Sequence, residues 1–258
     1  MGGALLKGWI AQGAGPLVAV EPKPSKELSA LAKKHGVRLL GDVRDLPKGK
    51  IAACIVAIKP QVLKDAAPTL RSIAESGATM ISIAAGTTTK SLAKAWGPKA
   101  HIVRSMPNTP GAIGRGITAI FATPKASAKD RKLADKLLSA LGETVWVKKE
   151  ELIDAATAVS GSGPAYVFLL VEAMTDAGVA EGLPRDVAAK LARQTVSGAG
   201  ALLDAEKTPP DELRRNVTSP GGTTEAALNV LMAADGLPKL MQRAVSAARQ
   251  RARELGKN

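Results

Sequence analysis

The chain has 258 residues, 45% of them hydrophobic and 2% aromatic, and its formal net charge is +13, so one or two domains with a sizeable core are expected. The single cysteine, Cys54, excludes an intramolecular disulfide, and no apolar run reaches the about 20 residues of a membrane span, so we expect a cytoplasmic protein. The Lys and Arg residues are scattered and few aromatic residues can stack on bases, so the charge favours anionic small molecules over nucleic acid as partners.

Short runs of apolar and β-branched residues in the first 147 positions predict buried strands. These runs are Leu17–Val20, Val37–Leu40, Ile51–Ile58, Thr79–Ala84, His101–Met106, Ile117–Ala122 and Thr144–Val147. Helical patterns lie between most of them, and Ser25 and Ser127 stand where each could cap a helix. Alternating strands and helices predict an α/β fold with a doubly wound parallel sheet that is covered on both faces.

Residues 149–258 contain helical patterns only, so we place a domain boundary near residue 148, with residues 1–148 as the first domain. The predicted helices are 150–159, 164–180, 184–205, 210–217, 223–234 and 237–255. This part is rich in Ala and has small residues at helical spacing, such as Ser197 and Gly200. We expect such helices to pack closely and to bury their apolar faces against a partner subunit.

The start of the chain partly matches a dinucleotide-binding fingerprint. Such a unit begins with a strand, a glycine-rich turn and a helix, and an acidic residue follows about 20 positions later. Gly2 and Gly3 lead directly into an amphipathic stretch, and Glu21 ends the next strand at about that spacing. Gly2 then fits the third glycine of the turn, although paired glycines are also typical of simple flexibility. With the first strand of the sheet missing, we expect the natural protein to start about ten residues upstream.

Three predicted strands end in residues suited to a binding cleft. Ile58-Lys59-Pro60 places a cation at a strand end, Ala84-Ala85-Gly86 leaves room for an approaching ring, and Met106–Pro110 forms a rigid loop. Ligands of parallel sheets bind at the carboxyl ends of the strands. Each segment alone is also explained as an ordinary turn, but together they favour a cleft.

Two further segments place glycines before a helix, namely Ser160–Tyr166 and Val217–Thr224. Glycines followed by a helix start expose backbone N–H groups at the positive end of the helix dipole, which suits a carboxylate or phosphate. A turn with a cap explains either segment taken alone.

As a set and in this order, these segments resemble the pyrroline-5-carboxylate reductase family over the whole chain. The Ser-Pro-Gly-Gly-Thr-Thr sequence at 219–224 is the most specific part. The other matching segments are Met1–Leu5, Ala57–Pro60, Ser82–Gly86, Arg104–Pro110, Leu152–Ala155 and Arg251–Leu255. The chain departs from the family at its start, where the pattern is Gly-x-Gly-x-Met-Gly and only Met1-Gly2 remains.

The resemblance implies a Rossmann domain followed by an all-α dimerisation domain that interlocks with a second subunit, with the substrate bound near that interface. It implies a homodimer, with a decamer of five dimers as a further assembly. The implied reaction is the NAD(P)H-dependent reduction of 1-pyrroline-5-carboxylate to L-proline, the last step of proline synthesis. No metal is implied.

The resemblance also assigns residues by position. The implied cofactor-binding residues are Gly2, Lys23, Arg44, Ala57, Ile58, Lys59, Pro60, Ala84, Ala85, Gly86 and Asn108. The implied substrate-binding residues are Glu150, Asn216, Ser219, Gly222, Thr223 and Thr224. Glu21 favours the free 2′-hydroxyl of NADH. A guanidinium such as Arg44 can hold a 2′-phosphate with two hydrogen bonds, so we expect NADPH to be preferred and NADH to be used as well.

The substrate carries a cationic iminium nitrogen and an anionic carboxylate. Backbone N–H groups of Gly222 and Thr223 can hold the carboxylate, and the Thr224 hydroxyl can bond to the ring nitrogen, which makes Thr224 the expected catalytic residue. His35 and His101 lie away from all of these segments.

Two alternatives stay open. Another member of the two-domain hydroxyacid-dehydrogenase-like group would use a helical lysine as its proton donor. In this chain the lysine in the interior of a predicted helix is Lys190, within 184–205. A non-catalytic protein that binds vitamin B6 or nucleic acid would not need the turn at 219–224.

Overall fold

A computed structural model describes residues 1–46, 49 and 51–256. The chain divides into two compact units. The first unit comprises Met1–Gly161 together with the described residues from Arg249 onward, and the second comprises Ser162–Ala248. The division therefore falls later than the boundary expected near residue 148, and the end of the chain returns to the first unit.

The first unit contains all the predicted strands. They are β1 (Val18–Val20), β2 (Arg38–Leu40), β3 (Ala53–Val56), β4 (Thr79–Ser82), β5 (His101–Met106), β6 (Gly116–Ala122) and β7 (Gly142–Trp146). Its helices are α1 (Gly2–Ala11), α2 (Lys26–Lys34), α3 (Pro60–Ala66), α4 (Arg71–Glu75), α5 (Thr89–Trp96), α6 (Ala128–Leu138) and α7 (Glu151–Ala156). Helix α7 packs on β5 and β6, which is why the first unit extends past residue 148.

The strands form two sheets. Strands β1 and β2 pair in parallel, and a five-stranded sheet has the order β3-β4-β5-β6-β7. The pairs β3–β4, β4–β5 and β6–β7 are parallel, whereas β5 and β6 are antiparallel, with Val103 opposite Ala122 and Met106 opposite Ala119. The sheet is thus mainly parallel, as predicted for a doubly wound fold, with one antiparallel pair that was not anticipated. Only residues 107–115 join β5 to β6, and a parallel crossover needs about a dozen residues or more.

Both faces of the five-stranded sheet are covered, as a doubly wound sheet requires. On one face, Met80 and Ile102 pack with Leu63, Leu92 and Trp96 from helices α3 and α5. On the other face, Ile81, Val103 and Ile120 pack with residues of α1 and α6, which are Leu5, Ala134 and Leu138. Burying one such large side chain contributes about 1.5–3 kcal/mol to folding.

Helix α1 contacts both sheets. Leu5 is completely buried against the five-stranded sheet, while Leu6 packs with Ala32 and Val37 beside the β1–β2 pair. Trp9 donates a hydrogen bond from Nε1 to the carbonyl of Leu137 at 2.7 Å. These contacts fix the start of the helix relative to the strand ends that follow.

The predicted caps are confirmed. Ser25 accepts a hydrogen bond from the Leu28 N–H at 3.1 Å at the start of α2. At α6, Ser127 Oγ accepts from the Asp130 N–H at 3.2 Å, and Asp130 accepts from the Ser127 N–H at 2.7 Å. This reciprocal pair satisfies two N–H groups that the helix itself leaves without partners.

The described part of the second unit is helical. It contains α8 (Gly163–Ala180), α9 (Arg185–Ala205), α10 (Pro210–Asn216) and α11 (Thr223–Leu231), and α12 (Leu237–Leu255) ends in the first unit. Large apolar side chains of α8 and α9 are exposed, among them Phe168, Leu169 and Leu191. None of the helices described is long and apolar enough to cross a bilayer.

The glycine-rich segment before α8 is more helical than predicted. A π-helical turn at Thr157–Gly161 continues α7, so the helix predicted at 150–159 runs on into the glycine-containing segment that was predicted to separate it from the next helix. Thr157 and Ser160 donate their hydroxyl protons to carbonyls four residues earlier, at 2.8 and 2.9 Å. Hydrogen bonds from a side-chain hydroxyl to the carbonyl four residues earlier often bend a helix.

Candidate active site

The carboxyl ends of β3, β4 and β5 lie at one edge of the sheet because these strands are parallel. The segments that follow them are Ala57–Pro60, Ile83–Gly86 and Pro107–Asn108. The structure thus brings most of the predicted cofactor residues to the edge where doubly wound sheets bind ligands.

Gly2 approaches the end of β3 closely. It is the first residue of α1, and a Cβ on it would lie 3.1 Å from the Cβ of Ala57, which is tighter than ordinary van der Waals contact. A Cβ on the neighbouring Gly3 would contact nothing within 4 Å. The glycine at position 2 therefore lets the N-terminus of α1, with its free N–H groups, lie against the strand end.

The loop after β4 is built from small residues. Ala84 is buried, and Ala85 and Gly86 are half-buried. Gly86 has φ +71°, and a Cβ there would lie 2.8 Å from the Cβ of Leu255, so both the backbone and the close packing require glycine. We call residues 84–88 the cofactor loop; its lack of bulky side chains leaves space at the sheet edge.

Lys59 and Asn108 follow the neighbouring strands. Lys59 is exposed and stands at the start of α3, with Pro60 in the first turn. The Asn108 side-chain oxygen accepts a hydrogen bond from the Ile117 N–H at 3.0 Å, which ties the loop after β5 to the start of β6. Asn108 thus orders the rim of the candidate site.

The structure pairs the predicted phosphate-binding Arg44 with an acid. Arg44 donates from Nε and Nη2 to the two carboxylate oxygens of Asp42, at 2.9 and 2.7 Å. Glu21 accepts from the Lys23 N–H at 3.1 Å, and the side chains of Glu21 and Lys23 are exposed. These residues follow β1 and β2, so the expected ribose side lies at the carboxyl end of the smaller sheet.

Glu150, expected at the substrate, belongs to an ionic network inside the first unit. We call the four residues Thr89, Arg104, Glu150 and Asp154 the Glu150 network. Arg104 Nη1 donates to Glu150 Oε1 at 3.0 Å, and Nη2 donates to Asp154 Oδ1 at 2.8 Å. Glu150 Oε1 also accepts from the Thr89 N–H at 2.7 Å, and its Oε2 accepts from the Thr89 hydroxyl.

Sequence reasoning missed three members of this network. The signal available was Arg104, a charged residue in the middle of the buried strand β5, whose side chain is 4% exposed. A buried guanidinium requires carboxylate partners. The partners themselves, Glu150 and Asp154, come from a distant part of the chain and could not be assigned from spacing.

The other predicted substrate residues lie together in the second unit, around the turn between α10 and α11. Gly221 has φ +69°, and its N–H donates to Glu225 Oε2 at 2.7 Å. The Gly222 N–H, expected to hold a carboxylate, instead donates to the Ser219 carbonyl at 3.0 Å because the turn closes on itself. Asn216 ends α10 and is exposed.

The first turn of α11 offers groups for a ligand. Its cap residue is Gly222, so no side chain caps the helix, and neither Thr223 nor Thr224 has that role. The Gly222 carbonyl accepts from the Ala226 N–H at 3.2 Å. Among the described residues, the N–H groups of Thr223 and Thr224 have no helical acceptor, as expected for a first turn. Thr224 is half-buried beside them.

The remaining titratable candidates lie elsewhere. His101 begins β5, at the opposite end from Met106, and its Nδ1 lies 3.1 Å from Asp130 Oδ2. His35 directly follows α2, and Lys190 is exposed on α9. Within the described ranges, no group of three His, Cys, Asp or Glu residues could hold a metal ion.

Comparisons with known proteins identify the family. A profile described as "Pyrroline-5-carboxylate reductase dimerisation" matches residues 150–255, and one described as "NADP oxidoreductase coenzyme F420-dependent" matches residues 1–86. The pyrroline-5-carboxylate reductase of Pseudomonas aeruginosa is 45% identical over 78% of this chain and 73% of its own length. The chain belongs to the pyrroline-5-carboxylate reductase family.

Solved structures of the family share the fold. The pyrroline-5-carboxylate reductase from Coxiella burnetii is 35% identical, with a TM-score of 0.90 over 100% of this chain and 95% of that one. The Plasmodium falciparum pyrroline carboxylate reductase with NADP bound is 28% identical, with a TM-score of 0.79 over 99% of this chain and 96% of that one. The pyrroline-5-carboxylate reductase fold therefore extends over the whole chain, and the family is one of nicotinamide-dependent oxidoreductases.

Proposed function

We propose that this chain reduces 1-pyrroline-5-carboxylate to L-proline with NADPH, as the last step of proline synthesis. Family membership supports the reaction class. The observation that carries the proposal is the first turn of α11, where the N–H groups of Thr223 and Thr224 and a hydroxyl unused by the helix cap stand together. Such a group suits a small ligand with a carboxylate and a ring nitrogen.

The sheet edge of the first unit fits a nicotinamide cofactor. Gly2 permits close approach at β3, and the cofactor loop has no bulky side chain. The residues that would hold the nicotinamide half are Gly2, Ala57, Ile58, Lys59, Pro60, Ala84, Ala85, Gly86 and Asn108. When bound, the cofactor supplies a hydride for the imine carbon. The chain's own contribution is to orient the reactants and to stabilise their charges.

The second unit would hold the substrate. The N–H groups of Thr223 and Thr224 bind the carboxylate at the positive end of α11. The Thr224 hydroxyl hydrogen-bonds the ring nitrogen, which is a cationic iminium before reduction and a more basic amine afterwards. Asn216, Ser219 and Gly222 shape the turn around the ligand. Thr224 is thus the catalytic residue of this proposal.

NADPH is the proposed preferred cofactor, with NADH as a weaker alternative. Lys23 and Arg44 supply positive charge after β1 and β2, where the adenosine ribose would lie. The bidentate ion pair with Asp42 weakens the preference for NADPH over NADH, because the 2′-phosphate must compete with a carboxylate for Arg44.

A homodimer is the proposed minimal assembly. The match of residues 150–255 to a dimerisation profile and the exposed apolar residues of α8 and α9 support it. Further assembly into a decamer is part of the proposal, as are a cytoplasmic location and the absence of nucleic-acid or membrane partners.

Burial raises the pKa of the single cysteine, Cys54, to about 11, so its thiol is unreactive at neutral pH.

A rate measurement tests the proposal. Purified protein is mixed with NADPH and 1-pyrroline-5-carboxylate, and cofactor absorbance is followed, with a 2-oxo acid as the substrate of the rival dehydrogenase group. We expect oxidation only with the imine. Oxidation with the oxo acid alone, lost in Lys190→Ala, would support the rival group instead.

A further inference from the structure

The Glu150 network connects the cofactor loop to the rest of the first unit. Thr89 is the first residue of α5 and directly follows the loop. Thr88 caps α5, because its hydroxyl oxygen accepts a hydrogen bond from the Ser91 N–H at 3.2 Å. Glu150 accepts a hydrogen bond from another N–H group of the first turn, that of Thr89. A carboxylate at this place satisfies a donor without an intrahelical partner and interacts favourably with the helix dipole.

We propose that Glu150 is a positioning residue for the cofactor, acting through Thr89 on the cofactor loop. This inference rests on the proposed function only in naming the cofactor. Its basis is the set of contacts within the first unit, which joins β5, α5 and the start of α7.

The contacts of Glu150 fix its carboxylate between Thr89 and Arg104. Oε1 accepts from both the Arg104 guanidinium and the Thr89 N–H, and Oε2 accepts from the Thr89 hydroxyl. The side chain is 23% exposed and that of Arg104 is 4% exposed. Oε2 is not bonded to the guanidinium, so the two oxygens hold the Glu150 carboxylate between Arg104 and Thr89.

The cofactor loop is held at a second point. A Cβ on Gly86 would lie 2.8 Å from Leu255 Cβ, and one on Gly256 would lie 3.1 Å from the Gly86 carbonyl oxygen. The end of α12 thus packs against Gly86 in the middle of the loop, while Glu150 holds Thr89, the residue that follows the loop. A loop held at these two points after β4 presents Ala84 and Ala85 in one conformation, and such preorganisation raises affinity by reducing the ordering cost of binding.

Buried ion pairs often add little stability compared with apolar side chains of similar volume. The network is therefore better explained by the geometry it fixes than by the stability it adds. Removing the Thr89 hydroxyl, which leaves both ion pairs of Arg104 in place, should therefore affect cofactor binding more than it affects folding.

The test uses Glu150→Gln and Thr89→Val, with Thr89→Ser as the conservative variant that keeps the hydroxyl. Ser127→Ala is the matched control, because it removes a helix cap of similar kind at α6. For each protein, amide hydrogen exchange is measured at residues 85–89 without cofactor. The dissociation constant for NADPH is measured by calorimetry without substrate, and the Michaelis constant for 1-pyrroline-5-carboxylate by initial rates.

We expect faster exchange at residues 85–89 in Glu150→Gln and Thr89→Val, and an NADPH dissociation constant raised about tenfold, equivalent to about 1.4 kcal/mol. In Thr89→Val, which keeps the Glu150 carboxylate, the Michaelis constant for the imine should change less than about twofold, a difference below about 0.5 kcal/mol. Thr89→Ser and Ser127→Ala should match the wild type in exchange and in NADPH affinity. The variant Thr89→Val keeps the test decisive if Glu150→Gln does not fold.

The opposite pattern overturns the inference. A raised Michaelis constant for the imine in Glu150→Gln, with exchange and NADPH affinity unchanged, would make Glu150 a substrate ligand and leave the proposed function intact. If Ser127→Ala lost as much NADPH affinity and as much protection from exchange, the network would contribute only to the stability of the fold. A wild type that binds NADPH but does not reduce the imine would remove the proposed substrate, while the exchange and affinity data would still decide the role of Glu150. A wild type that binds no nicotinamide cofactor contradicts both proposals.

Discussion

Arg44 donates two hydrogen bonds to the carboxylate of Asp42, at 2.9 and 2.7 Å. The same edge of the guanidinium would hold a phosphate. Hydrogen bonds from Arg44 lower the pKa of Asp42 to about 2, so the pair is ionised throughout the neutral range. The residue expected to select NADPH is thus paired with an internal competitor.

We predict that Arg44→Ala raises the Michaelis constant for NADPH by about tenfold or more, because a charge-assisted hydrogen bond contributes about 1.5–3 kcal/mol. The constant for NADH should change little. Asp42→Asn should lower the NADPH constant, because it frees the guanidinium. Arg38→Ala, at the start of β2, is the control. Equal effects of Arg44→Ala on both cofactors would place the 2′-phosphate elsewhere.

The close approach of Gly2 to Ala57 gives a second prediction. Gly2→Val should weaken NADPH binding and lower the melting temperature, because its Cβ would already lie 3.1 Å from Ala57 and its methyl groups have less room still. Gly3→Ala is the matched control, since its Cβ has open space and alanine favours the helix by up to about 1 kcal/mol. Calorimetric titration with NADPH compares the two. Unchanged NADPH affinity in Gly2→Val would contradict a cofactor contact at the start of α1.

Much of the fold could be predicted from local signals. The strand His101–Met106 and the caps at Ser25 and Ser127 follow from β-branched runs and from side chains that compete for helix N–H groups. The antiparallel direction of β6 was not anticipated, because apolar runs carry no direction. The connection at 107–115 is too short for a parallel crossover, so its length indicated the antiparallel direction.

The candidate site could be predicted only in part. Strand ends with small residues, such as Ala84 and Gly86, mark a sheet edge in any doubly wound fold. The partners of Arg44 and Glu150 depend on rotamers and on distant chain segments, which sequence spacing does not encode. The closure of the turn at Gly222 onto Ser219 was missed for another reason, because it depends on the local backbone conformation, in which Gly221 has φ +69°.

The buried carboxylate of Asp130 gives a pH prediction. Burial alone would raise its pKa, but hydrogen bonds from Ser127 and Thr79 and the nearby His101 outweigh that effect and hold the pKa at about 2. A lowered pKa stabilises the folded state above about pH 4, and this contribution is lost as the pH falls towards 2. Between pH 5 and pH 2, the wild type should lose about 2 kcal/mol more unfolding free energy than Asp130→Asn. Urea titrations at both pH values measure this, and parallel losses in the two proteins would contradict it.

Thr224 separates a reductase from a protein that only binds nucleotides. Thr224→Ala should lower kcat/KM for the imine about 10- to 150-fold, the effect of losing one hydrogen bond to a charged group. The NADPH affinity and the melting temperature should stay the same as in the wild type, because Gly222, and not a threonine, caps α11. Thr224→Ser should keep most activity, and Asn229→Ala on the same helix is the control. A lower melting temperature with unchanged turnover would assign Thr224 to folding instead.

The transfer of deuterium from cofactor to product tests the central claim most directly. The protein is incubated with 1-pyrroline-5-carboxylate and NADPH deuterated at the transferable position of C4, and the product is analysed by mass spectrometry and NMR. The account predicts L-proline with a single deuterium on Cδ, formed in a one-to-one ratio with the cofactor oxidised. Cofactor oxidation without labelled proline, or no oxidation with the imine at all, would contradict it.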